Sequence, residues 1–435
     1  MHRRDFLESL SAAATGVGLS LATTHRAMAA EPSHGTPETW RRQFPALGQR
    51  VNGHPLVYLD TAATALRPTP VIDAIAEFYR GPNANPGATL HTLAKRAAGL
   101  YDDARRVAAD FIGARDPLEV VFTRGTTEAL NLVATAWCAT NLRAGDEILI
   151  GRAEHSSNML PWQLAARRAN ASLQYFDVDD AGHARLDDLD ARLSPRTRVV
   201  AFSHVSNVLG MINPAKEMCA RARGPNRIVV VDGAQSVPHF AVNVRDLGCD
   251  FLAFSSHKML GPMGVGILWG RRELLESMSP YQAGSNMAHD VDLDSAHYSE
   301  GALKFGAGTP NVSGPIGLAA AMRFILAIGH DAMWEHEQSL TTHMIERLSR
   351  IRRVRLLGSR DTREKISVFA FTVEGSAPGD VLRYMDARGI AIRAGDLASL
   401  PLLKRLGTAT AARASCYLYT SLEDVDRFAD ALESL

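Results

Sequence analysis

The sequence predicts an α/β protein: a mostly parallel, seven-stranded sheet covered by helices on both faces, followed by a smaller α+β domain. Three observations carry this expectation. Short segments rich in Val, Ile, Leu and Phe recur at 147–150, 173–176, 199–203, 228–231, 251–254 and 265–269, most of them the near-continuous apolar runs that strands buried on both faces require. Helical patterns separate most of these runs, the alternation that builds a parallel sheet. After Pro315 the pattern changes to a long helix, 316–328, and then shorter strands at 368–372, 390–393 and 412–419.

Taken in order, residues 1–30 read as an export segment. His2-Arg3-Arg4-Asp5-Phe6-Leu7 precedes a weakly apolar stretch at 10–21, and Ala27-Met28-Ala29 supplies a small-residue cleavage pattern. The apolar stretch is too short to span a bilayer, and the three parts stand in the order of a signal peptide. Paired arginines ahead of Phe-Leu are of the twin-arginine type, which delivers folded proteins across the bacterial inner membrane. The expected location is the periplasm, with a mature chain starting near Ala30 and no stable membrane anchor. Residues 31–45 are polar and breaker-rich and read as a linker or arm. The large domain is set at 46–315. It opens with a strand at 57–59 that runs into Asp60-Thr61-Ala62-Ala63, followed by helices at 70–80 and 92–112. A strand at 119–123 ends in Arg124-Gly125-Thr126-Thr127-Glu128, whose Thr and Glu suit the cap of a helix reaching about residue 136. The small domain is set at 316–435.

Composition narrows the function. The 435 residues are 46% apolar and 22% charged, ordinary for a globular enzyme with a sizeable core. The 47 basic and 47 acidic side chains cancel, so no basic field is available for nucleic acid. Cys138, Cys219, Cys249 and Cys416 lie far apart with no metal-ligand spacing, so no metal site is expected.

Chemistry concentrates where apolar runs stop. The run beginning at Asp250 ends in Ser255-Ser256-His257-Lys258 and a Gly/Pro-rich loop. A lysine at the mouth of a buried strand loses its proton cheaply and can form an imine with a carbonyl compound. Asp232 follows another apolar run directly. A buried acid there needs a cationic partner, either a neighbouring arginine or a protonated pyridine. Gly125-Thr126-Thr127 opens a helix and offers an anion site. His155 follows a third strand and can stack on a flat ring or stand as a satisfied loop histidine, and Asn207 follows a fourth. Ser255 and His257 flank the lysine, which stands 26 positions after the acid. An anion cradle, a stacking imidazole, a carboxylate and an imine-forming lysine meet the needs of pyridoxal 5′-phosphate, a cofactor that acts as an electron sink.

The segments YLDTAATALRP, FTRGTTEALNLVA, HVSNVLG, VDGAQSV, FSSHKMLGPMGVGILWG, FGAGTPN and IRAG…ARAS resemble, in matching order from about residue 45, the class V aminotransferase superfamily of fold type I. Within it they are most similar to the group-II cysteine desulfurase and selenocysteine lyase branch. The resemblance implies Lys258 as the imine lysine, Asp232 at the pyridine nitrogen, Gln235 at the ring hydroxyl and His155 over the ring. It implies Thr126, Thr127, Ser255 and His257 at the phosphate. Thr309 is implied to reach the phosphate from the partner subunit of a homodimer. Ala62, Asn207, Arg393 and Arg413 would face the substrate, with Arg413 gripping its α-carboxylate.

Desulfurases of this branch carry a nucleophilic cysteine in a loop after Arg-x-Gly. Here that loop reads Arg393-Ala394-Gly395-Asp396-Leu397-Ala398-Ser399, with Ala398 at the cysteine position. Without a thiolate no persulfide forms there. Cys416, three residues past Arg413, faces the other way if both lie on one strand. In combining a twin-arginine start with this loop, the chain resembles exported members that modify peptide siderophores. The main expectation is therefore transamination, deamination or decarboxylation at the α-amino group of an amino acid or peptide N-terminal residue. One alternative is desulfurase- or selenocysteine lyase-like β-elimination; another is a protein that binds the cofactor without catalysis.

Overall fold

The computed structural model describes residues 35–87 and 90–435; the export segment expected at 1–30 lies outside them. Its main strands are β1 (Val57–Tyr58), β2 (Val120–Thr123), β3 (Glu147–Gly151), β4 (Ser172–Phe176), β5 (Thr197–Ser203), β6 (Ile228–Asp232), β7 (Phe251–Ser255), β8 (Gly266–Gly270), β9 (Val354–Leu356), β10 (Val368–Val373), β11 (Ile390–Ala391), β12 (Arg393–Gly395) and β13 (Ala411–Ser415).

Strands β2 to β8 form the seven-stranded sheet, in the order β2-β8-β7-β6-β5-β3-β4. Strands β3 to β7 pair in parallel, whereas β8 runs antiparallel to both β7 and β2. The turn and loop between β7 and β8 are too short for a crossover helix, so the chain must return antiparallel. Every residue of β3, β6, β7 and β8 is buried, which explains why these strands read as unbroken apolar runs. Alternate residues serve opposite faces. Val229, Val231, Leu252 and Phe254 meet Leu318, Met322 and Ile325 on one side, while Ile228, Val230, Phe251 and Ala253 meet Leu130, Trp162 and Leu275 on the other.

The small antiparallel sheet has the order β9-β10-β13-β12. Helices His330–Arg350 and Leu422–Glu433 cover it through Leu340, Met344, Val425 and Phe428, packed with Phe369 and Phe371.

The domain boundaries drawn from sequence need two corrections. Helix Ser313–Ile328 packs against Thr69–Arg80 and Thr92–Phe111 in the large domain. The chain enters the small domain only after Gly329, at φ 89°, where this helix meets His330–Arg350 at 80°. At the other end, β1 pairs in parallel with β11, and Asp60 bridges Ser415. Val57 and Leu59 are in the small domain's core. The small domain is thus built from two separated stretches of chain.

Three local readings also change. Within 31–45, Pro37–Arg41 forms a helix, Trp40 and Phe44 are buried, and Arg41 pairs with Asp424 at 2.6 Å. The helix opened by Gly125 runs as Thr126–Leu132 and continues through a wider π turn, Val133–Trp137; no threonine side chain caps it, and Glu128 instead accepts from the Arg124 amide at 2.6 Å. Strand β13 stops at Ser415, and Tyr417 and Tyr419 turn into the large domain, bonding Pro238 and Thr61.

Candidate active site

The carboxyl ends of β3, β5, β6 and β7 converge on a cavity of about 500 Å³, closed from the other side by β12, β13 and the 396–398 turn. Every residue expected to serve the site from its own protomer lines it; Thr309, expected to serve a partner's site, accepts a hydrogen bond from Asn85 at 3.2 Å.

Lys258 ends the single turn that follows β7. Burial pulls its pKa down to about 8; Asp232 opposes this shift and Arg413 adds to it. Asp232, the last residue of β6, accepts from the Ala234 amide at 2.9 Å through one oxygen. Its other oxygen accepts no hydrogen bond among the described residues, and burial raises its pKa against the opposing pulls of Ala234 and Lys258. A buried acid with one oxygen left without a hydrogen-bond or ion-pair partner is what a protonated ring nitrogen satisfies.

Below these groups lies the anion cradle. Ser255 Oγ accepts from the Thr126 amide at 2.8 Å and bonds its hydroxyl at 2.7 Å, while Thr127 and Ser157 hydroxyls meet at 2.8 Å. Two glycines make the approach possible: a Cβ on Gly266 would stand 2.4 Å from the Cα of Gly125. His155 Nδ1 accepts from the Ser157 amide at 3.0 Å, leaving the hydrogen of the neutral ring on Nε2. Burial, then Lys258 and Arg413, lower its pKa to about 4, so the imidazole is uncharged at neutral pH, as stacking on a flat ring favours. His257 is likewise held at about 4 by burial, Lys258 and Arg67. Gln235 donates to the Ala62 carbonyl at 2.8 Å, and the Ala62 amide donates to Ser415 Oγ at 2.9 Å.

On the substrate side Arg413 is buried. It donates to the Asn207 carbonyl at 2.8 Å, approaches Asp60 at 3.5 Å, and leaves Nε without an acceptor. Arg393 binds Asp60 through both oxygens, at 3.2 and 2.6 Å. The Asn207 amide is spent on the small-domain turn: it donates to the Leu397 carbonyl at 2.9 Å and accepts from Ser399 at 3.0 Å. Leu397 and Ala398 both hold positive φ, 52° and 53°. Asp396 stabilises that turn by accepting from the Ala398 amide at 3.0 Å.

Sequence reasoning passed over Asp60, Ser156, Ser203 and Glu154. Glu154, whose pKa burial pushes up to about 8, lies behind the site and accepts from Asn158 and Ser203. Asp60 stood in the quoted YLDTAAT segment, but nothing local announces a partner 333 residues away. Among the described residues no cysteine lines the cavity, and all four are buried elsewhere.

The pattern of the family "Aminotransferase class-V" matches residues 57–428. A probable cysteine desulfurase of Halalkalibacterium halodurans is 44% identical over 393 residues, covering 90% of this chain and 96% of that one. Among solved structures, the apo cysteine desulfurase of Thermococcus onnurineus superposes with a TM-score of 0.87 at 38% identity, covering 92% of this chain and 98% of the other. The cysteine desulfurase CsdA of Escherichia coli superposes at 0.85 and 35% identity, with the same coverage. With the acid, the lysine and the cradle in one cavity, these likenesses place the chain in the class V aminotransferase family, as a pyridoxal 5′-phosphate-dependent enzyme of α/β fold type I.

Proposed function

We propose that this enzyme performs β-elimination on an α-amino acid with a soft leaving group, such as cysteine or selenocysteine, and releases that group to solvent. The relatives named cysteine desulfurases favour β-carbon chemistry over the amino-group chemistry expected first from sequence. The carrying observation is Ala398 in the cavity wall, with no thiol among the lining residues. A desulfurase passes sulfur to a thiol and leaves alanine. Elimination from cysteine instead breaks the Cα–H and Cβ–S bonds and, with water, yields pyruvate, ammonium and sulfide without a reductant.

The bound cofactor supplies an electron sink for the carbanion at Cα. Arg413 grips the carboxylate with its bidentate fork, and Lys258 moves the Cα proton. Asp232 would hold a proton at the ring nitrogen, and His155 would cover the ring. The test is incubation with L-cysteine and L-selenocysteine, with and without dithiothreitol, following pyruvate, alanine and sulfide. Pyruvate in step with sulfide and independent of dithiothreitol supports the reading. Alanine together with a persulfide on the protein would sink it.

A second reading, transamination, deamination or decarboxylation of a periplasmic amino acid or peptide N-terminus, as in siderophore maturation, is favoured by the Arg3-Arg4 export pattern beside Ala398. Keto-acid-dependent amino transfer or carbon dioxide release without sulfide identifies it. The proposal includes a homodimer in which Thr309 of each protomer serves the phosphate site of its partner, and a periplasmic location. Sedimentation and cell fractionation check these two points.

A further inference from the structure

Strands β12 and β13 place Arg393 directly opposite Arg413, in register, with both side chains lining the cavity. Like charges facing each other across a strand pair repel, and burial keeps Arg413 from escaping to water: its side chain is 4% exposed, against 48% for Arg393. A third chain segment resolves the conflict. Asp60, 14% exposed, leaves β1 and enters beside both guanidiniums. It gives both oxygens to Arg393 and stands 3.5 Å from Arg413. Arg393 thereby commits Nε and one terminal nitrogen to the bidentate geometry it would otherwise offer a ligand. Arg413 keeps its buried, unpartnered Nε. Within this triad, two cations and one anion leave a single guanidinium's worth of positive charge, and Arg413 is the member without a bidentate partner.

We propose that Asp60 is a specificity-determining residue: by occupying Arg393 it reduces two carboxylate receptors to one, so the site takes amino acids with one carboxylate and discriminates against dicarboxylic ones. This rests on the reading of Arg413 as the receptor for the α-carboxylate. Asp60 acts through the arginines and is a positioning residue. Its removal should change which substrates bind, rather than weaken all of them alike.

The test compares L-alanine with L-aspartate on the cofactor-loaded enzyme, with binding read from the absorbance of the bound cofactor and by calorimetry. Wild type should prefer L-alanine by about tenfold or more, the discrimination expected when a second carboxylate meets no free cation. Asp60→Asn should narrow or invert that ratio by about tenfold, and adding Arg393→Gln should restore it. A wild type that binds both ligands equally overturns the proposal, and so does an Asp60→Asn ratio that stays unchanged. Should Asp60→Asn fail to fold, Arg393→Gln alone decides. An unchanged ratio supports an already occupied Arg393, and a selective loss of L-aspartate binding refutes it. Arg413→Ala separates the two layers: if L-alanine binding survives it, the underlying assignment fails, whereas if only the Asp60 predictions fail, the assignment stands.

Discussion

The backbone amide and the hydroxyl of Ser156 both donate to the carbonyl of Ala398, at 2.7 and 2.9 Å. This double bond joins the turn after β3 to the small domain's 396–399 turn. With Asn207 it holds Leu397 and Ala398 in a left-handed conformation that residues with a Cβ adopt at a cost. Ser156→Ala should keep the amide bond and lose the hydroxyl's, a destabilisation of about 1 kcal/mol. Denaturant unfolding reads the stability, and limited proteolysis should show faster cleavage near 396–399.

Ala398→Cys should place a thiol on the wall of the cavity. After exposure to L-cysteine, persulfide labelling is expected on this variant and absent from wild type, with alanine appearing beside pyruvate. Labelling of the wild-type protein at one of its own buried cysteines would contradict the elimination reading.

Lys258 gives a pH signature in the cofactor-free protein. Its folded pKa of about 8 lies below the ordinary lysine value of 10.5, so the unfolded chain binds more protons between these values. Stability should therefore rise with pH across that window, and it gains nothing further above it. Only the neutral amine attacks an aldehyde. Reconstitution followed by absorbance should accelerate with a midpoint near pH 8, and Lys258→Ala should never show the absorbance of a cofactor joined to a lysine.

Asp232→Asn removes the anion that a protonated ring nitrogen pairs with. Breaking such a buried pair costs about 3–5 kcal/mol, which predicts turnover lower by about two to four orders of magnitude. Steady-state rates, corrected for cofactor content, check it.

Gly266→Ala tests the cradle. The added methyl would meet the Gly125 Cα at 2.4 Å and the Phe254 carbonyl at 2.8 Å, all backbone that cannot swing aside. A loss of about 1–3 kcal/mol is expected from overpacking. Faster loss of cofactor on dialysis should accompany it, because Gly125 sets the Thr126 amide.

The site's large-domain half was legible because strands buried on both faces are continuous apolar runs, and the polar residues that end them stand at one edge of the sheet. That logic points to Asp232, Lys258, His155 and Asn207, and the resemblance adds Gln235 and Arg413; all six line the cavity. Partnership was not legible. The apolar stripe of 313–328 says that one face is buried, not against which helices, so the helix was assigned to the wrong domain. A two-residue strand such as β1 carries no period at all, and its pairing with β11 depends on the whole fold. Asp60 illustrates the same gap at the level of charge: an acid before Thr-Ala-Ala has no local feature pointing to two arginines on distant strands.

The Asp60–Arg393 link closes a loop of 333 residues, and β13, which carries Arg413 beside it, follows later still in the chain. Synthesis must therefore run from Asp60 through β13 before the substrate side of the cavity exists. A premature stop codon upstream of residue 411 leaves β10 and β12 without the strand between them. The product would be an aggregation-prone sheet edge rather than a partly active enzyme.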